Sequence, residues 1–463
     1  MLTITFEDQG RQPLYQQLYS RIKEEIEAGR LAAGARLPSK RKMADHLKIS
    51  LTTVENAYAQ LSLEGYVASR EKRAYYVRPV EKMTISPVAP EPPRARVPRV
   101  PARRYLFDLS TSRVSLKGFP FSIWTKLMRE SLRDESASLL EPVPPQGDLA
   151  LRREIVNYLR QFRSMRVTAE QVVVGAGTEY LLGLLTELLP GAVFALENPN
   201  YHKPARIFQS RRVKFAAISM DQEGLSLAGL TKTQASVALV TPSHHFPLGT
   251  VMSVGRRRQL LQWAAARPGR YLIEDDYDSE YRFALKPVPP LHSLGSGQQV
   301  IYLNTFTRTL APSLRIAYMV LPPGLSELYE RKLAFYACPV SEFEQCALRK
   351  FIEGGYYERH LNRLRNLYRA RRDVLMQRLA PLAGAFSLAG QAAGLHLLLT
   401  SRQGWPEEKM IRLAAQNEVR VYGLSSYYLG RAAASTVIIG YAGLEEAELG
   451  QAAARLVAAW GGG

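Results

Sequence analysis

Short apolar segments rich in β-branched residues alternate with helix-compatible stretches through the middle of this chain. The segments are residues 171–174, 192–196, 236–240, 271–273, 300–304 and 315–320. Each ends at a turn signal, and most are followed by a stretch that suits a helix. Strands that are separated by helices form a mostly parallel sheet, because a parallel connection needs a crossover. The sequence therefore predicts an α/β fold with a mostly parallel sheet that is covered by helices.

The composition bounds the class of protein. With 463 residues, of which 46% are hydrophobic, the chain can bury the cores of about two or three domains. Its formal charge of +19 favours an acidic partner, for which nucleic acid is the commonest. Cys338 and Cys346 are too few for a disulfide framework and fit no metal spacing. We therefore expect a reducing compartment and no metal site.

Nothing in the sequence predicts a membrane partner. Residues 1–10 lack a signal-peptide pattern, and the most apolar run, residues 181–189, is too short to cross a bilayer. We expect a cytoplasmic protein. Residues 80–104 combine closely spaced prolines with arginines, which predicts a semi-extended linker. This linker divides the chain into a first domain of residues 1–79 and a second of residues 105–463.

The first domain has the sequence pattern of a winged helix-turn-helix. Apolar residues at helical spacing run from Leu14 to Ile26, and Ser39 and Ser50 are placed as caps of two further helices. Residues 67–77 then suit a hairpin. Two helices in close succession, followed by a hairpin, are typical of this DNA-binding motif.

A nearly complete motif strengthens this prediction. Its residues are Leu37, Pro38, Ser39, Arg41, Ser50, Thr53, Val54, Ala57, Tyr58, Leu61, Glu64, Gly65 and Tyr66. They resemble the DNA-binding module of GntR-type regulators. The resemblance implies that Ser39 and Arg41 contact phosphate and that the helix from Leu51 enters the major groove. Leu51 stands where the family usually has arginine, and Ala74 replaces a common glycine. The candidate DNA-binding residues are Ser39, Lys40, Arg41, Ser50, Thr52, Thr53, Asn56, Tyr58, Arg70, Lys72 and Arg73.

Two motifs in the second domain carry chemistry. Residues 172–179 read as a strand, a glycine turn and a helix start, which suits a phosphate group. Residues 274–280 end a buried strand with a cluster of carboxylates. Such a cluster serves a metal, acid–base chemistry or a buried cation. No histidine lies near it in the sequence, so we favour the cation.

Residues 304–315 resemble the cofactor-lysine motif of fold type I pyridoxal-phosphate (PLP) enzymes, but Arg308 stands at the lysine position. A lysine amine condenses with an aldehyde once it has lost its proton. A guanidinium, whose pKa is above about 12, stays charged and cannot do so. Covalent attachment of PLP and transamination are therefore not expected, and we assign no catalytic residue. The resemblance implies that Asp275 pairs with the cofactor's pyridinium nitrogen and that Tyr277 bonds its phenolic oxygen.

Taken together, the motifs resemble the MocR/GabR regulators, in which a GntR module is fused to an aminotransferase-like domain. They include Gly175-Ala-Gly-Thr178, Asn198-Pro-Asn-Tyr201, residues 241–249 and residues 314–322. The resemblance implies PLP contacts by the following residues. They are Gly177, Thr178, Thr305, Thr307 and Arg315 around the phosphate, Tyr201 beside the ring, and Arg308, Asp275 and Tyr277.

The same resemblance gives effector candidates, which are Lys203, His245 and Ser426. Ser426 replaces an arginine that γ-aminobutyrate-responsive members use for a carboxylate. Because an unpaired buried carboxylate is costly, γ-aminobutyrate is not the expected ligand. Another small amine, an amino acid or a dipeptide-like molecule is the expected effector.

Several interpretations of Arg308 are open. The first is an engineered substitution. The second is a natural degenerate site that holds PLP without a covalent bond, or another anion. The third is a side chain turned to the surface. Lys203 could also replace the missing lysine. The function that we expect is that of a DNA-binding transcriptional regulator and not of an enzyme, and the resemblance implies a head-to-tail homodimer. The alternatives are a PLP-dependent aminotransferase with an accessory DNA-binding domain, and a DNA-binding protein whose large domain only dimerises.

Overall fold

The computed structural model describes residues 12–70, 74–80, 105–115, 117–135, 137–283 and 288–461. The chain divides into two compact units, one within residues 1–102 and the other within residues 103–463. The predicted linker, residues 80–104, lies outside the described residues except for Val80. Lys72 and Arg73, and the side chain of Arg70, also lie outside them.

The first unit is a winged helix-turn-helix, as the sequence predicts. Its elements are α1 (Leu14–Glu27), α2 (Lys40–Leu47), α3 (Leu51–Leu63), β1 (Val67–Arg70) and β2 (Ala74–Val77). The two strands pair antiparallel. Leu18, Ile22, Val54 and Leu61 are fully buried in its core. The Ser39 hydroxyl accepts a hydrogen bond from the backbone N–H of Lys42 and so caps α2.

The second unit is built on an eight-stranded sheet with the order β4-β11-β10-β9-β8-β5-β6-β7. The strands are β3 (Phe107–Asp108), β4 (Val172–Gly175), β5 (Phe194–Asn198), β6 (Phe215–Asp221), β7 (Gly224–Leu225), β8 (Val237–Val240), β9 (Tyr271–Asp275), β10 (Val300–Thr305), β11 (Ala317–Val320), β12 (Phe386–Ala389), β13 (His396–Ser401), β14 (Val419–Arg420), β15 (Tyr422–Gly423) and β16 (Thr436–Gly440). Five neighbouring strands, from β10 to β6 in this order, pair parallel. The predicted α/β class with a mostly parallel sheet is therefore confirmed.

Helices surround this sheet and a smaller one. They are α4 (Phe121–Asp134), α5 (Leu149–Arg163), α6 (Thr178–Leu188), α7 (His202–Ser210), α8 (Leu227–Thr231), α9 (Val254–Ala265), α10 (Leu291–Leu294), α11 (Pro323–Leu333), α12 (Glu342–Glu353), α13 (Tyr356–Leu379), α14 (Glu407–Gln416) and α15 (Glu446–Trp460). The smaller sheet has the order β12-β13-β16-β15, and β3 pairs separately with β14. Leu375, Leu397, Ile439 and Leu456 belong to the apolar core beneath the small sheet.

β11, within the predicted segment 315–320, departs from the parallel direction of most of the sheet. β11 pairs antiparallel with both β10 and β4. The connection from β10 to β11 is residues 306–316, which is short and contains one turn of 3-10 helix instead of a crossover helix. A strand that returns without a crossover must lie antiparallel.

The register brings several strand ends to one edge of the large sheet. Ala317 lies opposite Gly175 of β4 on one side and Thr305 of β10 on the other. Asp275, the last residue of β9, lies opposite Leu303 of β10. Ligands in open α/β sheets bind beyond the carboxyl ends of the strands, so this edge positions the candidate site.

Candidate cofactor site

A glycine turn and an arginine form an anion cradle at this edge. Gly177 precedes α6 with a φ of +92°, a conformation that favours glycine. A Cβ atom there would lie 2.8 Å from the guanidinium carbon of Arg315, so the side chain of Arg315 lies against the glycine. The same guanidinium donates hydrogen bonds to the carbonyl of Ala176 (3.2 Å) and to the carboxylate of Glu179 (3.0 Å). The N-terminal end of α6, which begins at Thr178, adds positive potential.

Two threonines at the end of β10 lie next to this cradle in the sheet. The Thr305 hydroxyl donates to the Thr307 hydroxyl at 2.7 Å and accepts from the Thr307 backbone N–H at 3.1 Å. The shared neighbour Ala317 relates them to β4 through the strand register. The structure thus places at one edge of the sheet the five residues that the sequence predicts around a phosphate.

Asp275 presents a buried oxygen atom without a partner. Its Oδ1 accepts no hydrogen bond from the residues that the structure describes. Burial raises the pKa of Asp275 to about 7, and the charges of Asp276 and Asp278 add to the rise. A bound cation would supply the missing countercharge, and a pyridinium nitrogen fits this position.

Further polar atoms lie buried and unpartnered, within the described part of the chain, at the ends of β5 and β8. They are Glu197 Oε1, Asn200 Nδ2, Ser243 Oγ and His245 Nε2. Burial raises the pKa of Glu197 to about 8, and the nearby charge of Asp275 adds to that rise. Since buried polar groups normally have partners, their concentration marks a place for a polar ligand. Sequence reasoning missed all but His245 of this set, although each follows a predicted strand.

Tyr277 is held by residues that the sequence analysis did not select. Its hydroxyl donates to the carbonyl of His244 at 3.1 Å, and the His244 Nδ1 lies 2.8 Å from an oxygen of Asp278. Burial raises the pKa of Tyr277 well above its ordinary value, so the phenol keeps its proton. The nearby Arg308 guanidinium opposes this rise without overcoming it.

Arg308 is directed into the second unit. Its guanidinium donates to the backbone carbonyl of Thr111, and its own carbonyl accepts from the Tyr281 hydroxyl at 2.8 Å. It is partly buried and lies close enough to Tyr427 to affect the pKa of that phenol, which burial raises. The interpretation of Arg308 as a side chain turned to the surface is therefore wrong.

The Lys203 amine is also engaged by a neighbouring side chain. Its ammonium pairs with the carboxylate of Glu179 and lies 5.7 Å from the centre of the Tyr201 ring. The hydrogen bond that the Lys203 ammonium donates to the Glu179 carboxylate raises the pKa of Lys203, which favours the protonated amine. Imine formation needs a neutral amine, so the ion pair with Glu179 argues against Lys203 as a substitute for the missing lysine. Tyr201, Lys203, Glu179 and Arg315 instead form one connected rim beside the cradle.

The other two effector candidates differ in their surroundings. Burial lowers the pKa of His245 to about 3, so its ring is neutral, and its Nε2 lies 3.6 Å from Glu197. The Ser426 side chain donates to the carbonyl of Gly423 at 2.8 Å. This hydroxyl is therefore already satisfied within its own turn. The neighbouring Tyr427 packs against Phe246 with ring centres 5.0 Å apart.

In the first unit, most DNA-binding candidates lie at the surface. The exposed ones are Ser39, Arg41, Ser50, Thr52 and Asn56, and Lys40 and Thr53 are partly exposed. Tyr58 is a correction, because its side chain is fully buried and its hydroxyl donates to the carbonyl of Pro38 at 3.0 Å. It lies on the same face of α3 as Val54 and Leu61, which is the core face, and so cannot reach DNA.

Two further observations bear on partners. Among the described residues, no group of three or more histidine, cysteine, aspartate or glutamate side chains is arranged to hold a metal ion. None of the helices that the structure describes has the length and apolar character needed to cross a membrane.

Known families match both units. Residues 14–77 match the bacterial regulatory proteins of the gntR family, and residues 108–456 match aminotransferase class I and II. The large domain thus has the fold of PLP-binding aminotransferases. The chain belongs to the MocR/GntR family of transcriptional regulators, as its motifs indicate.

Relatives cover nearly the whole chain. The uncharacterized HTH-type transcriptional regulator YhdI of Bacillus subtilis is 36% identical over 99% of this chain and 98% of its own. The probable rhizopine catabolism regulatory protein MocR of Rhizobium meliloti is 32% identical over 94% and 91%. The HTH-type pyridoxine biosynthesis transcriptional regulator PdxR of Corynebacterium glutamicum is 30% identical over 93% and 92%. The multiple substrate aminotransferase from Thermococcus profundus shares the fold, with a TM-score of 0.69 and 22% identity over 77% of this chain and 91% of that one.

Proposed function

We propose that this chain regulates transcription by binding operator DNA through its first domain, and that its aminotransferase-like domain binds PLP without a covalent bond. The observation that carries the cofactor assignment is the anion cradle of Gly177 and Arg315 at the same sheet edge as the unpartnered carboxylate of Asp275. A phosphate and a pyridinium are the two charged groups of PLP. Few other metabolites present both.

The proposed cofactor contacts follow from this arrangement. The phosphate is held by Gly177, Thr178, Thr305, Thr307 and Arg315. Asp275 supplies the countercharge for the ring nitrogen, Tyr277 faces the phenolic oxygen, and Tyr201 lies beside the ring. When bound, PLP supplies an aldehyde that reacts with amines and a ring that withdraws electrons.

Arg308 separates this proposal from an enzyme. Transamination needs an amine that alternates between imine partner and proton carrier, and a guanidinium performs neither role. The Arg308 guanidinium is moreover engaged by the Thr111 carbonyl. The alternative is an aminotransferase with an accessory DNA-binding domain. The fold supports it, but the chain has no lysine at position 308 to supply the reactive amine.

The effector belongs to the amino compounds. A small amine, an amino acid or a dipeptide-like molecule would react with or displace PLP beside Tyr201, within reach of Lys203 and His245. Ser426 is a weaker candidate because its hydroxyl already bonds Gly423. We propose domain limits of 1–79 and 105–463, joined by a linker of residues 80–104, in a cytoplasmic head-to-tail homodimer. Ligand binding would then shift the balance between two dimer geometries.

The test compares the wild-type chain with Arg308→Lys. Each protein is titrated with PLP, followed by absorption, then reduced with borohydride and weighed by mass spectrometry. We expect saturable binding by both, with a mass gain of one reduced cofactor only in Arg308→Lys. Steady keto-acid formation by the wild-type chain with amino acids would support the enzyme alternative. An absence of saturable PLP binding to the wild-type chain would overturn the cofactor assignment.

A further inference from the structure

Leu51 is an apolar side chain at an unusual place in the first unit. It is the first residue of α3, directly after the cap Ser50, and 40% of its surface is exposed. Leu18, Leu37 and Leu61 are buried in the core of this unit, whereas Leu51 does not pack against that core. Its exposure therefore has no structural explanation within the described part of the unit.

The polar groups around Leu51 are largely engaged. The Ser50 and Thr53 hydroxyls bond each other at 2.7 Å, and the Ser50 hydroxyl also accepts from the Thr53 backbone N–H. Glu55 pairs with Lys40 at 3.2 Å. Among the described residues, the exposed side chains on the first turns of α3 for which no partner is seen are those of Leu51, Thr52 and Asn56.

The chemistry of a leucine restricts what it can recognise on DNA. Its side chain has no hydrogen-bond donor or acceptor, so it can form hydrogen bonds neither with phosphate nor with the polar edges of bases. The major groove presents one apolar group, the C5 methyl of thymine. The first residues of the second helix in a helix-turn-helix are those that reach base edges. We propose that Leu51 recognises the methyl group of a thymine in the operator, an inference that rests on the proposed DNA-binding function.

The experiment removes each partner of the contact separately, which are the methyl group of the thymine and the side chain of Leu51. A preferred duplex is selected from a random pool with the full wild-type chain, and each thymine in it is replaced in turn by deoxyuridine. Affinity is then measured for the wild type and for Leu51→Ala. At one position we expect deoxyuridine to weaken wild-type binding about fourfold, as for one buried methyl group. Leu51→Ala should be insensitive to that replacement.

Matched variants separate recognition from general effects. Leu63→Ala deletes the same side chain at the far end of α3, where it is 83% exposed, and should keep the wild-type response to deoxyuridine. Leu51→Gln, of similar size but polar, should lose it. The salt dependence of binding should be equal for the wild type and Leu51→Ala, because no phosphate contact is removed.

The outcomes distinguish the inference from the function beneath it. If no duplex is enriched over the random pool, sequence-specific DNA binding fails and the inference fails with it. If a duplex is enriched but every thymine tolerates deoxyuridine equally in the wild type and Leu51→Ala, the inference alone is overturned. Coupling at one thymine supports both.

Discussion

The carboxylate of Asp275 should make the large domain less stable as the pH rises. A group whose pKa is higher in the folded than in the unfolded chain favours folding while it is protonated. That advantage disappears as the pH rises through the folded pKa. For Asp275, with an ordinary pKa of 3.8 and a folded pKa of about 7, the loss accumulates between about pH 4 and pH 7. Asp275→Asn, which has the same shape without the charge, should remove this pH-dependent loss of stability.

The size of the effect follows from the pKa. A rise from 3.8 to about 7 corresponds to roughly 4 kcal/mol of unfolding free energy as an upper limit. Asp275 keeps some contact with solvent, which screens its charge. We therefore expect Asp275→Asn to stabilise the domain by about 1–3 kcal/mol at pH 8. At pH 4.5 the carboxyl is protonated in the fold but largely ionised in the unfolded chain, so only part of the loss has accumulated and the stabilisation by Asp275→Asn should be clearly smaller than at pH 8.

Tryptophan fluorescence measures this domain selectively. All four tryptophans, Trp124, Trp263, Trp405 and Trp460, lie in the second unit. Urea unfolding of cofactor-free protein at pH 4.5, 6 and 8 gives the difference directly. Asp373→Asn is the control, because the Asp373 carboxylate is 55% exposed and should show no such trend.

Two results would refute the reasoning. Equal stabilisation by Asp275→Asn at pH 4.5 and pH 8 would mean that packing, not charge, separates the two proteins. Destabilisation at pH 8 would mean that Asp275 has a countercharge in the cofactor-free protein. In that case the match to a pyridinium nitrogen would lose its main support.

Two further changes test the cradle and the corrected DNA interface. Glu179→Gln should tighten the binding of inorganic phosphate or PLP about 2- to 30-fold, measured by calorimetry, because it removes two half-exposed ion pairs, to Arg315 and Lys203, each worth about 0.2–1 kcal/mol. Glu187→Gln on the same helix is the control. Unchanged affinity in Glu179→Gln would contradict the idea that Glu179 competes with the anion for these cations. Tyr58→Phe should cost the first unit about 1 kcal/mol by leaving the Pro38 carbonyl unpaired, with unchanged affinity for a selected duplex. A loss of affinity in fully folded Tyr58→Phe would restore Tyr58 as a DNA contact.

Much of the architecture could be predicted because the strands are apolar and β-branched and end at turn signals. Each predicted strand overlaps an observed one. The direction of β11 could not be predicted from its composition, since a buried strand has the same sequence whichever way its neighbours run. That direction depends on the connection, residues 306–316.

The residues of the candidate site also divide into those that could be predicted from the sequence and those that could not. Motif residues such as Gly177 and Asp275 could be found because each lies at or near the carboxyl end of a strand. His244 and Glu197 were missed, because the partners that orient them, Asp278 and Thr241, are distant in sequence. Tyr58 was misplaced because it belongs to a DNA-binding motif, and a motif does not state which members serve the core. Its spacing of four from Val54 did carry that information.

The bond between Arg308 and Thr111 has a consequence for signalling along the chain. Thr111 follows β3, the first described strand after the linker from the DNA-binding domain. An anion that displaced the Thr111 carbonyl from this guanidinium would free that segment, and its affinity would then be linked thermodynamically to the release of the segment. Arg308 would thus connect occupancy of the proposed cofactor site to the polypeptide that leads towards the first unit.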